Sequence, residues 1–184
     1  MKKQQNNKGL NLLIGIIFII SPIIGIILGV IAIVEFENYF SPYLFAATCG
    51  GFGLVTGYLI SKKIKPFVTK LNKRIKDYSQ LSVYLISGFI GLFLLIGVKM
   101  NFNFSRLEYS DTTIVINKTY KKGKFRQAGY NKLFFKLNGE LIDVRCHKKY
   151  WNSVNIGQKI KIEVYKSRLG FDYILLPNEK KASL

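Results

Sequence analysis

Three runs without a charged side chain, Leu10 to Val34, Tyr43 to Ile60 and Leu81 to Val98, constrain this chain more than any other feature. The first holds 25 residues, roughly 37 Å as a helix, enough to cross a ~30 Å hydrocarbon layer with some tilt. The other two hold 18 each, which is just long enough. The pattern predicts transmembrane helices over 10–34, 43–60 and 81–98, within a membrane domain 1–98. A single such run would suit a buried core helix. Three in succession do not. A cleaved leader would also follow the order Lys2, Lys3, Lys8 and then an apolar stretch. That stretch is too long, and Ile31-Ala32-Ile33-Val34 lacks the small residues a signal peptidase reads, so an uncleaved anchor is expected.

Charge fixes the expected orientation. The chain carries a formal +18, unevenly spread. The first loop, Glu35 to Pro42, has two acids and no base. The second, Ser61 to Gln80, has seven bases against Asp77 alone. Short basic segments stay on the cytoplasmic side, so the N-terminus is expected inside and the C-terminal domain outside the cytoplasmic membrane of a bacterium. Beyond Val98, eighteen bases face seven acids, a surplus of about 11. A domain of that length crosses largely regardless of its charge.

Within the spans, Ser21-x-x-x-Gly25-x-x-x-Gly29, Gly53-x-x-x-Gly57 and Ser87-x-x-x-Gly91 set small residues one turn apart, where helix backbones approach closely. Packing within the chain is favoured over a homo-oligomer interface, the other use of such stripes. Pro22 removes a donor in mid-span and predicts a kink near Ser21. None of the runs holds Asp, Glu, Lys, Arg or His, the residues that mark ion paths and proton relays. That argues against a pump or coupled transporter. The basic stretch 61–80 spaces Ile64, Phe67, Val68, Leu71 and Ile75 as on a helix, with Pro66 near its start. It predicts an interfacial amphipathic helix whose Lys62, Lys63, Lys70 and Arg74 meet lipid headgroups. A plain topology-setting loop is the competing reading.

After a linker 99–104, the period changes to two, and a small β domain is expected over 105–178, with a tail 179–184. Tyr130 to Leu137 and Glu140 to Cys146 flank Asn138-Gly139, the strongest short hairpin signal. A short helix is expected within His147 to Val154, and Lys159 to Lys166 alternates cleanly. With Thr112 to Tyr120 and Phe171 to Leu176, about five strands predict an OB-like or SH3-like barrel. The fold class expected is therefore three transmembrane helices plus a small all-β domain.

Residues for chemistry are few. Cys146 and His147 are neighbours, and neighbours on a strand point to opposite faces, so they form no thiolate and imidazole pair. Two dissimilar cysteines, Cys49 and Cys146, predict no disulfide. With one histidine and no clustered carboxylates, no catalytic residues, metal site or cofactor are expected. On β-type alternation, Tyr130, Lys132, Phe134 and Lys136 share one face of their strand while Asn131, Leu133, Phe135 and Leu137 share the other.

The segment Tyr150 to Ile174, with Val154-x-x-Gly157-x-x-Ile160, Val164-Tyr165-Lys166 and Leu169-Gly170-Phe171-x-Tyr173, resembles the small β domain of uncharacterised bacterial membrane proteins that pair it with a few helices. The resemblance spans about 60 residues and implies a fold but no activity. The expectation for function is a non-enzymatic accessory or scaffold protein, whose partner residues are Lys132, Lys136, Lys148, Lys149, Tyr150 and Trp151. Membrane lipids and a protein partner are the expected company. An immunity protein against a membrane-acting toxin is the rival, followed by a membrane-anchored lipid- or nucleic-acid-binding domain. Nucleic acid is the least suited ligand if the domain lies outside the cell membrane.

Overall fold

A computed structural model of the chain describes residues 2–71, 78–121 and 130–177. Helices α1 (Lys2–Phe36), α2 (Pro42–Leu71) and α3 (Tyr78–Asn103) precede strands β1 (Ser105–Lys121), β2 (Tyr130–Leu137) and β3 (Glu140–Cys146). A short helix α4 (Lys148–Ser153) and strands β4 (Lys159–Ser167) and β5 (Tyr173–Leu175) complete the order. The chain forms two compact units. One holds the helices. The other holds residues 101–184 together with the first loop, Phe36–Pro42.

In the helical unit, Pro42–Pro66 and Ser82–Asn103 are each long and apolar enough to cross a membrane, with mean hydropathies of 1.5 and 2.1. In α1 the apolar stretch among the described residues is Ile20–Phe36. Helix α3 is the shared partner. A Cβ placed at Gly53 of α2 would come within 2.7 Å of the Ile90 Cα on α3, so only glycine lets the two backbones approach this closely. Gly57 meets Ile86 and Phe89, and on the α1 side Gly25 faces Ser87, Gly88 and Gly91. Gly29 differs, because a Cβ there would lie an ordinary 3.9 Å from the Gly91 Cα. The small-residue stripes thus serve packing within the chain. Helix α1 runs on through Pro22.

Of the stretch 61–80, expected as an interfacial amphipathic helix, residues 61–71 are helical as the end of α2, and 72–77 lie outside the described residues. Helix α2 continues unbroken past Lys62 and Lys63 and through Pro66 to Leu71. The physical reason is packing. Its apolar residues Ile64 and Val68 lie against Leu85 and Phe89 of α3, so this stripe faces a partner helix. Over 99–104, expected as a linker, α3 runs on to Asn103 and β1 starts at Ser105.

The β unit is a curled five-stranded antiparallel sheet in the order β3-β2-β1-β4-β5. Its curl comes from β1. The first part of that strand, Ser105 to Ile114, pairs with β4, and the remainder, from Val115, pairs with β2. Register shifts at Leu107/Tyr109 and Val115/Asn117 mark where it bends. The β2–β3 hairpin turns at Asn138 (φ 52°) and Gly139 (φ 87°), the left-handed pair that a tight primed turn requires. Inside lie Val115, Leu133, Phe135, Val144, Ile162 and Ile174, none more than 1% exposed. Tyr150 of α4 belongs to the same core.

The five strands alone make half a barrel, leaving β3 and β5 as edges, and the first loop occupies both. The Asn38 side chain donates to the Arg145 carbonyl (3.2 Å) and accepts from the Arg145 N–H (2.8 Å), mimicking a strand partner for β3. Its main-chain carbonyl accepts from the N–H of Ile174 on β5 (3.1 Å), and the Phe40 N–H donates to the Asp172 carbonyl (3.0 Å). Tyr39 bridges Tyr173 in antiparallel pairing, with their rings stacked at 5.5 Å. Phe102 meets Tyr173 edge-on at 4.8 Å, and Tyr165 stacks on it at 5.1 Å. Burial pushes the Tyr173 phenol above its ordinary value; the hydroxyl bond with Ser105 opposes this and the neighbouring Tyr165 adds to it.

Two outcomes follow from these contacts. Asn38→Ala should lower the stability of the β unit by about 2 kcal/mol, because it strands both backbone groups of Arg145; denaturant unfolding followed by the fluorescence of Trp151, the single tryptophan, measures this. Gly53→Leu should lower the thermal stability of the detergent-solubilised chain well below that of Gly29→Ala, which the spacing tolerates.

Candidate functional site

The outer face of β1–β2–β3 is built by register. On β2, Asn131, Leu133, Phe135 and Leu137 are buried, while Tyr130, Lys132 and Phe134 are half-buried and Lys136 is exposed. The alternation read from sequence is the one that forms, and it keeps Phe134 out of the core cluster. Cross-strand partners lie on the same face. Lys132 sits between Thr119 of β1 and Arg145 of β3, Phe134 between Asn117 and Asp143, and Tyr130 opposite Lys121.

The ring of Tyr130 collects cations. Arg145 lies 5.2 Å from its centroid, Lys132 5.6 Å and Lys121 5.7 Å. Each such contact at a partly exposed site contributes on the order of 0.5–1 kcal/mol. Two carboxylates meet these cations. Arg145 Nη1 donates to Glu37 Oε2 of the first loop at 2.6 Å, and Lys132 pairs with Asp143. The face is therefore a cationic and aromatic surface with carboxylates already seated on it. The sequence does not single out Arg145 and Glu37, because one lies in a strand expected from its hairpin turn and the other in a loop assigned to the membrane domain. Their opposite charges were the available signal.

The other expected partner residues separate. Lys148 and Lys149 are exposed on α4, on an element whose Tyr150 is inserted into the core. Tyr150 is buried, 5% exposed. Trp151 packs against the core cluster, and its ring lies 4.1 Å beneath the Lys118 ammonium. Lys118 also donates to the carbonyls of Trp151 and Val154, both at 2.7 Å, so it fastens the end of α4. Of the headgroup candidates, Lys62 and Lys63 are exposed. The side chain of Lys70, and Arg74 altogether, lie outside the described residues. Cys146 is buried while His147 is exposed before α4. Among the described residues no three His, Cys, Asp or Glu side chains gather as metal ligands would.

No family model matches the chain, and comparison with curated proteins and with solved structures returns no match.

Lys118→Met should cost about 1–3 kcal/mol of β-unit stability, by leaving two carbonyls without their charged donor, and should shift Trp151 emission by removing the cation from its ring. Denaturant titration and the emission spectrum check both.

Proposed function

We propose that this chain is a three-span protein of a bacterial cytoplasmic membrane, and that its β unit is a non-enzymatic binding module for a protein or envelope partner. The observation that carries the reading is the Lys132, Lys136 and Arg145 surface interleaved with Tyr130 and Phe134. Cations set between rings on a rigid sheet present an anionic partner with charge and contact area together.

The membrane reading rests on the helices. Only 22% of the apolar window in each of the two long helices is buried inside the protein, whereas the core helix of a soluble protein is mostly buried. Ile23, Ile26, Val30, Phe52, Leu54 and Val55 are exposed, apolar surface that water does not favour. Orientation rests on the bases between Lys62 and Lys76, which keep that segment cytoplasmic. The first loop and the β unit share one compact unit, which supports both lying on the opposite side. The half-barrel, with its long bent β1 and a helix between β3 and β4, is read as OB-like, a fold whose β2–β3 face commonly carries ligands.

Alkaline phosphatase fused after Leu184 should be active and a fluorescent protein there dark; the reverse would overturn the orientation. A photo-crosslinking amino acid at Phe134 should give adducts in cells. Lys132→Glu with Lys136→Glu should remove them while leaving the chain in the membrane fraction, and adducts that persist would overturn the assigned face.

A further inference from the structure

We infer that the cluster around Tyr130 recognises carboxylates, and that its partner is an acidic polypeptide segment, with Glu37 as a resident competitor. This rests on the binding face assigned above and specifies its chemistry.

The protein already displays the mode. Glu37-Asn38 is a turn docked against the β3 edge: the Asn38 side-chain amide satisfies the Arg145 backbone on both sides, and the Glu37 carboxylate takes the Arg145 guanidinium at 2.6 Å. A side-chain carboxamide and a carboxylate from one segment thus engage a single residue. Asp143 places a second carboxylate with Lys132 on the same face. Both cationic groups are therefore placed where a carboxylate reaches them.

The cluster also remains accessible. The side chains of Arg145 and Lys132 retain 22% and 31% of their exposure, and that of Glu37 30%. Lys121 and Lys136 are exposed, with no acid opposite either in the strand register. The face therefore has cationic capacity beyond its two internal carboxylates. An incoming acidic segment gains Lys121 and Lys136 directly, and exchanges with Glu37 at Arg145. Carboxylate for carboxylate is a balanced exchange, so Glu37 tunes affinity and leaves the face able to bind.

The test uses the full chain in neutral detergent and fluorescein-labelled hexaglutamate, read by anisotropy. Hexaglutamate should bind, and more weakly as salt rises. Glu37→Gln should tighten binding about threefold, the scale of a partly exposed charge pair. Arg145→Gln should weaken it about tenfold, as expected for loss of a charge-assisted bond, while Lys159→Gln on β4 changes nothing. Trp151 fluorescence checks that each variant is folded. No binding by the wild type or by Glu37→Gln would overturn the inference, as would equal binding by wild type and Arg145→Gln. Stronger binding of inorganic polyphosphate, or of phosphatidylglycerol vesicles by chain held in neutral nanodiscs, would overturn the commitment to a peptide. Adducts at Phe134 without hexaglutamate binding would overturn the carboxylate chemistry alone; absence of both would overturn the face as well.

Discussion

One asparagine side chain supplies what the half-barrel lacks. A curled sheet of five strands has two edges, and an edge presents backbone donors and acceptors that must find partners or remain open to any passing strand. Asn38 meets the β3 edge with its amide and the β5 edge with its own carbonyl. A carboxamide carries both a donor and an acceptor, so it can substitute for a peptide group where the short loop has no room for another strand. The stacked rings of Tyr39, Tyr173 and Tyr165 then hold the loop in that position.

This arrangement joins parts of the chain far apart in sequence. The loop between the first two helices belongs to the compact unit formed by residues 101–184, so the β unit is complete only with residues from before α2. It also brings Glu37 to Arg145 and so places an acid on an otherwise basic face. The same short segment thus closes the fold and shapes the surface.

Much of the β unit was legible because period-two alternation and turn chemistry are local signals. Asn138-Gly139 marked the hairpin, and the faces of β2 were assigned correctly from Tyr130 to Leu137. The glycine stripes reported helix contacts because close backbone approach excludes a Cβ, as at Gly53. What was not legible was long-range. Nothing local to Glu37-Asn38-Tyr39 says that it pairs with residues more than a hundred positions away. The apolar stripe at Ile64 and Val68 looked interfacial because a helix facing lipid headgroups and one facing another helix share a period. The place of Tyr150 and Trp151 was not legible for a related reason. Aromatic side chains favour both cores and interfaces, and only the packing of α4 on the sheet decides which.

The central claim, that the first loop is an integral part of the β unit, is tested most directly by amide hydrogen exchange on the detergent-solubilised chain, resolved by NMR. The Phe40, Arg145 and Ile174 amides, whose acceptors join the loop to the sheet, should be protected to the same degree as amides of the β1–β4 ladder. Exchange of these three at open-chain rates, while the ladder stays protected, would contradict the account and leave a half-barrel with two free edges.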